Sequence, residues 1–415
     1  RLTDVTGVQT CALPILITLR LIAPYEADTI NYRSILPQVL ASSTDKYRNK
    51  SALSRHLDGL YGTQMSVFTA KVGLESAIHF QLLFPSDRFL PNQESVSEKV
   101  VDLLKQILFY PKTNQGIFTK RAVEEEIRLL KEAIEAEYND KSEYAFQQFR
   151  KIMFENERYS FRSKGIYERL NEITPESLWQ YYLNVLKNDT LHLSVVGDFN
   201  HTHLERLLSQ TFNGVFKENP HHWIDDETKI ISQVRRIQEF NDLKQAKLFI
   251  GYRTNVRFDS EKYLSMMVLN ILLGDSDQAK LFRIIREEHH LCYSIGSTYD
   301  SNKGIIIVSM GIEPENENKA VDLAVEVIQS LKKGIISDDE LAFSKAFQIK
   351  RIRQRDDSIL SLSASDFYYR KVYGTTYDTH KLVEMIDSVS KEDIIACAES
   401  LILDTIYVLT KKDNQ

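Results

Sequence analysis

Cysteine is scarce. Cys11, Cys292 and Cys397 are spread over 415 positions. They are odd in number and show none of the spacings of a zinc ribbon or a disulfide framework, which fits a reducing, cytoplasmic compartment. No apolar run is long enough to span a bilayer, so no membrane role is expected. A strong charge is missing too. The 58 acidic and 52 basic residues leave a net charge of −6, and no basic, aromatic-laced patch points to nucleic acid. There is no Gly-rich phosphate loop, nucleophile elbow or Cys–His pair. What is present is an ordinary globular composition, 43% hydrophobic and 27% charged. The chain is too long for one core, so at least two domains are expected.

Residues 5–15 (VTGVQTCALPI) read like a sequencing-library adapter translated in frame. As a signal peptide the segment is weakly basic and lacks a small-x-small cleavage site. Residues 1–15 are therefore set aside. The natural chain is expected to start upstream of Leu16 and to have lost an N-terminal strand.

Alternation predicts a strand over 16–23, ended by Pro24. A helix is expected over 35–42, with Ser34 as N-cap and Pro37 in the first turn, where proline is tolerated. A second helix spans 52–60. Two strands about Gly73 fill 65–84, with Ile78, Phe80, Leu82 and Phe84 on one face and His79 and Gln81 on the other. Helices follow at 95–109, 121–155, 178–186 and 201–212, with a strand at 191–196. The polar stretch around Pro220 marks a linker. In the second half, strands are expected at 247–252, 293–299, 304–312 and 405–409. Helices are expected at 259–273, 277–288, 316–333, from a capping box at Ser337–Glu340 to about 370, and after a second box at Ser390–Asp393.

The runs ITPESLWQYYLNVLKNDTLHLSVV and VSKEDIIACAESLILDTIYVLT match in order. Each sets a capped helix before an Asp-Thr step into a strand. This indicates an internal duplication of about 215 residues. The expected fold class is α+β: two homologous domains, each a mostly antiparallel sheet covered by helices. The expected boundaries are 16–215, a linker at 216–235, and 236–415.

Three segments carry a resemblance. LHLSVVGDFNHTHLERLLSQTF (191–212), YLSMMVLNILLGDSDQAKLFRIIREEHHLCYSIGSTY (263–299) and SILPQVLASST (34–44) occur in the order and spacing of the insulinase/pitrilysin/mitochondrial processing peptidase family. Taken together, the chain resembles that family over nearly its whole length after residue 15, and within it a non-catalytic, YfmF-like bacterial branch. The resemblance implies a zinc helix with an inverted His-x-x-Glu-His motif. Aligned on Thr44, the two histidine positions hold Ser34 and Gln38, and the catalytic glutamate position holds Pro37. A zinc peptidase needs imidazole ligands and a carboxylate that activates the metal-bound water. None of these three residues can serve. The third ligand position falls on Ala133, with Glu126 matching the upstream glutamate and Glu132 one residue away. No cofactor is therefore expected in this chain.

The other half of the family's site is expected to survive. Its second domain supplies an arginine and a tyrosine seven residues apart that hold the substrate backbone and polarise the tetrahedral intermediate. Arg286 and Tyr293 match in type and spacing. A guanidinium fork grips carbonyls, and a phenol donates to a developing oxyanion. The resemblance thus implies a non-catalytic subunit. Its expected heterodimer partner is a catalytic family member that holds the zinc, and the substrate is a peptide or unfolded protein. The alternatives are a scaffold or peptide-binding adaptor, linked by name to elongation factor P modification, and an active peptidase with an unrecognised metal site.

Other polar groups have plainer readings. His201 and His203, near Glu205, are two apart on a helix and do not face each other, so solvation is expected. His221–His222 fall in the linker. His289–His290 lie between Arg286 and Tyr293 and are expected in a solvated turn. The acidic run over 124–137 reads as a solvated face laced by i,i+4 pairs, or as the lining of a chamber. His79 has no sequence partner.

Overall fold

The computed structural model describes residues 14–91, 94–162, 164–216, 223–224 and 229–411. Residues 1–13, His221 and His222 lie outside these. The chain forms two compact units, each discontinuous in sequence. Unit 1 is Arg1–Ala136, Phe161–Trp223 and Asp356–Lys371; unit 2 is Glu137–Ser160, Ile224–Arg355 and Val372–Gln415.

Unit 1 is built on strands β1 (Pro14–Pro24), β2 (Gln64–Val72), β3 (Glu75–Pro85) and β6 (Thr190–Val196), in antiparallel order β2-β3-β1-β6. A small hairpin, β4 (Thr113–Asn114) and β5 (Ile117–Phe118), lies apart from it. Strand alternation decides the two faces. Ile17, Leu19 and Leu21 of β1 and Ile78, Phe80 and Leu82 of β3 enter one core with Ile35, Leu36, Val100 and Leu104. Those partners lie on helices Ile30–Ser42 and Val96–Phe109. The opposite face carries Thr18, Arg20 and His79 and is covered by the stretch 356–371, where Phe367 packs on Ile22 and Ala77. The turn between β2 and β3 uses Gly73 at φ +59°, and a Cβ there would lie 2.0 Å from the Trp223 carbonyl. That carbonyl accepts from the Leu74 N–H at 2.7 Å. Trp223, inside the stretch expected as linker, is thus docked on unit 1.

Unit 2 holds β7 (Arg235–Phe240), β8 (Ala246–Arg253), β9 (Cys292–Asp300), β10 (Ile305–Ile312) and β11 (Ile402–Thr410), in order β7-β11-β8-β10-β9. All pairs are antiparallel except β7 with β11. Helix Lys141–Met153 lays Phe149 and Met153 on Phe249, Ile305, Ile307, Tyr407 and Leu409. Gly251 permits this approach, since a Cβ there would come within 2.5 Å of the Met153 sulfur. Helices Tyr263–Leu273, Glu317–Lys332 and Lys391–Glu399 pack with one another in the same unit.

The α+β class holds, and so does the parallel between the two halves. Thr174 and Ser390 each close a capping box. Each helix then leads to a buried aspartate at a strand's start, and each aspartate meets a buried arginine. Asp189 meets Arg33 at 2.8 Å, and Asp404 meets Arg253.

Four expectations need correction. The first strand starts at Pro14 rather than Leu16. The first helix starts at Ile30, not near 35, so Pro37 is interior and Ser34 is not its N-cap. The expected helix 121–155 breaks at Asp140, whose carboxylate accepts from the Ser142 and Glu143 N–H groups and caps a new helix. The expected helix to about 370 also breaks, into Asp338–Asp356 and Ile359–Tyr373, with Ser358 capping the second.

Candidate functional site

Helix Ile30–Ser42 carries Ser34, Pro37 and Gln38, the three positions that the resemblance aligns with the zinc motif. Pro37 is buried seven residues into that helix and has no N–H to give. The carbonyl it would have met, that of Arg33, instead accepts from Thr69 Oγ1 at 2.8 Å. An interior proline normally leaves that acceptor orphaned, so a β2 side chain repairs the helix. Ser34 Oγ donates to the Ile30 carbonyl at 2.8 Å, and Gln38 Nε2 donates to the Val67 carbonyl at 3.0 Å.

Ser34 and Gln38 line a cleft of about 380 Å³ with Phe68, Glu126, Leu129 and Lys164. Glu126 is buried, on helix Lys120–Asn139, and its carboxylate is 2.6 Å from the Lys50 ammonium. Ala133, two turns further on, is exposed, and Glu132 is spent on Arg128 at 2.6 Å. The donors here are a hydroxyl, an amide and one carboxylate already neutralised by a lysine. They do not fit zinc, which takes thiolate, imidazole or carboxylate ligands at a tetrahedral centre. Among the described residues no cluster of three His, Cys, Asp or Glu side chains is arranged to hold a metal. Lys50 and Lys164 were not legible as site residues, because both reach the cleft from distant sequence.

Arg286 and Tyr293 lie in unit 2. Residues Phe282–Glu288 form a π-helix rather than the α-helix expected over 277–288, with the His289 N–H bonding the Ile284 carbonyl at 3.1 Å. Such wide turns are rare and concentrate at functional sites. His290 follows at φ +56°, a left-handed turn that leads into β9. The Arg286 guanidinium is exposed, lies 4.7 Å from the Phe282 ring centroid, and has no acidic partner among the described residues. Tyr293 is 60% exposed, on the sheet's edge strand. Its hydroxyl donates to Glu313, and that hydrogen bond raises its pKa above the ordinary phenol value. Glu313 had no sequence signal, because it reaches Tyr293 from the end of β10. Cys292 is buried, which pushes its thiol up to about 11 and leaves it a protonated packing group. His289 and His290 are exposed.

His201 and His203 form no metal cluster with other described residues. His203 contacts Glu98 at 3.2 Å and Arg206 at 3.3 Å, while His201 tilts against the Phe199 ring.

Comparison with known proteins adds the following. Residues 172–347 match the family description "Peptidase M16 inactive domain". The "Probable inactive metalloprotease YmfF" of Bacillus subtilis is 31% identical over 396 residues, covering 94% of this chain and 91% of the relative. The relative's name makes the branch expected from the sequence YmfF-like rather than YfmF-like. A crystal structure of a conserved protein from Enterococcus faecalis superposes with a TM-score of 0.90 at 25% identity, covering 97% of this chain and 94% of the other. The peptidase M16 inactive domain from Pseudomonas fluorescens gives 0.77 at 15% identity, covering 96% and 94%.

Proposed function

The chain belongs to the M16 peptidase family, in its inactive, insulinase-like branch, and from that premise we propose that it is the non-catalytic subunit of a two-chain zinc peptidase. The observation that carries this reading is the contrast between the two halves of the ancestral site. The metal half is chemically erased at Ser34, Pro37, Gln38 and Ala133. In the other half, Arg286 keeps an exposed guanidinium without a carboxylate partner among the described residues, on the segment that leads into the strand bearing the exposed Tyr293. A solvated arginine on the surface is ordinary, but one stacked on an aromatic and carried within a π-helix is held in place.

In this role the chain binds and orients a peptide. The Arg286 fork takes two carbonyl oxygens or a carboxylate. The Tyr293 phenol is protonated at neutral pH, as an ordinary phenol is, and it donates a hydrogen bond once it turns from Glu313 to a substrate carbonyl. Hydrolysis is left to a partner of the same family with an intact His-x-x-Glu-His.

The test is peptide hydrolysis by such a partner from the same organism, with and without this chain. Activity is expected only, or chiefly, in the mixture. Arg286→Ala and Tyr293→Phe should each cut kcat/KM of the mixture by about tenfold or more, the loss of one charge-assisted or oxyanion-type hydrogen bond, while leaving the melting temperature unchanged. Equal turnover with and without the chain would favour the adaptor reading, in which the chain binds a protein for a purpose other than its cleavage, elongation factor P modification among them.

A further inference from the structure

On the polar face of the unit 1 sheet, β-register sets four side chains in a row. Phe68 stands opposite His79, His79 opposite Arg20, and Arg20 opposite His192. Three of the four are basic groups. Arg20 is 1% exposed and His79 is 8% exposed.

The hydrogen bonding of this row is incomplete in one direction. Arg20 Nη1 donates to Ser194 Oγ at 3.0 Å and meets His192 Nδ1 at 3.3 Å. Its Nη2 reaches the Ser363 carbonyl and hydroxyl, each at 3.4 Å. The guanidinium lies 4.5 Å from the centroid of Phe367. None of these partners carries a negative charge. Asp366, whose field reaches Arg20, is held by Arg370 at 2.6 Å. Arg20 Nε, His79 Nδ1 and His79 Nε2 are buried and have no hydrogen-bond partner among the described residues, the His79 ring stacking on Phe68 at 4.5 Å.

Arg20 Nε is always a donor, and a neutral imidazole carries at least one N–H. At least two buried donors therefore lack an acceptor, beside a guanidinium that lacks a counter-charge. Each deficit is expensive alone, and a buried unpaired cation is the costlier of the two. A water molecule would satisfy the donors but not the charge. An anion satisfies both, and the enclosure of all three nitrogens restricts it to a small one.

We propose that unit 1 binds a halide ion, chloride in the cell, between Arg20 Nε and His79, under the stretch 356–371. The site lies on the sheet face opposite helix Ile30–Ser42, so it is independent of the peptidase reading. The bound ion would tie β1 and β3 to the covering helix through one shared charge.

The experiment is thermal unfolding of the full chain in sodium chloride, bromide or gluconate at one ionic strength, with crystals grown in bromide. Chloride and bromide should raise Tm over gluconate by about 2 °C or more, saturating with concentration as for any ligand of the folded state. Bromide should give an anomalous peak within hydrogen-bond reach of Arg20 Nε and His79. Arg20→Met and His79→Leu should each abolish the halide increment. His79→Leu keeps Arg20 and remains readable if Arg20→Met does not fold. Identical melting in all three salts, or a water refined at the position, overturns the proposal. So does a bromide peak without any thermal effect, which would mark an adventitious ion only.

Discussion

The resemblance aligns Pro37 with the family's general base, and the proline's effect on this helix is mechanical as well as chemical. It removes a carboxylate from the cleft and an N–H from the helix, and Thr69 answers the second loss by donating to the Arg33 carbonyl. Thr69→Val keeps the shape and removes the donor. It should destabilise unit 1 by about 1–3 kcal/mol, the range for a buried acceptor left without a partner. In a Pro37→Ala background the helix can close that bond itself, so the same Thr69→Val change should cost about 0.5 kcal/mol or less. Urea denaturation of the four proteins in this cycle measures the difference, and equal costs in both backgrounds would refute the repair. The same residue explains why the start of the helix was misread. Proline inside a helix is so unfavourable that its presence argues for a first-turn position, and only the distant Thr69 makes an interior one tolerable. That Ser34, Pro37 and Gln38 offer neither imidazole nor carboxylate is readable from the sequence alone. The Lys50–Glu126 pair that now neutralises the surviving carboxylate is not, since 76 positions separate the two.

Among elements, the stretch that runs through helix Lys141–Met153 and ends near Ser160 shows how polar groups fix a secondary structure in place. Glu157 pairs with Arg253 at 2.6 Å and with the buried Lys303 at 2.9 Å, and Asp404 pairs with Arg253 and with Arg235 at 2.9 Å. Burial alone would raise both carboxyl pKa values. The hydrogen bonds and charges of these cations outweigh it, so both lie below their ordinary values of 4.5 and 3.8. The folded pKa is lower than the unfolded one, so this stabilisation is complete above the unfolded values and fades as pH falls through the folded ones. The melting temperature should therefore hold from neutral pH down to about 5 and fall below that. Glu157→Gln should cost about 3–5 kcal/mol of stability at pH 7, as for a broken buried pair, and make the acid limb shallower. An unchanged acid limb in that variant would mean that other carboxylates govern acid unfolding. Elements were mostly legible where hydrophobic period and caps agree, as at the Thr174 and Ser390 capping boxes. They failed where a helical pattern runs unbroken through a change of direction. Both long helices expected over 121–155 and 337–370 break, and both breaks lie close to points where the chain passes from one compact unit to the other. Periodicity reports which face is apolar, but not which sheet that face covers. The π-helix that contains Arg286 was invisible for a similar reason, since so short a wide-turn segment does not disturb the pattern enough to be read.

Across the whole molecule those two crossings make a reciprocal exchange. The sequence's first half sends 137–160 to cover a sheet built from the second, and the second half sends 356–371 to cover a sheet built from the first. Each stretch brings what its sheet needs. Phe149 and Met153 fill the apolar face of unit 2, and Glu157 neutralises Arg253 and Lys303. Phe367 and Ser363 close over Ile22, Ala77 and Arg20 of unit 1. Neither sheet is complete without the other half of the chain, although each has its own core. A fragment ending near residue 215 should therefore lack the cover of its polar sheet face, and one starting near 236 should lack both an apolar layer and Glu157, the carboxylate that Arg253 and Lys303 share. Each alone should bind a hydrophobic dye and melt without a cooperative transition, as a state with secondary structure but incomplete packing does. Co-expressed, the two fragments should associate through the exchanged stretches and regain one cooperative transition, because each carries the stretch the other is missing. Cooperative unfolding of either fragment by itself, with dispersed amide resonances, would show that the exchanged stretches are ornaments on self-sufficient sheets.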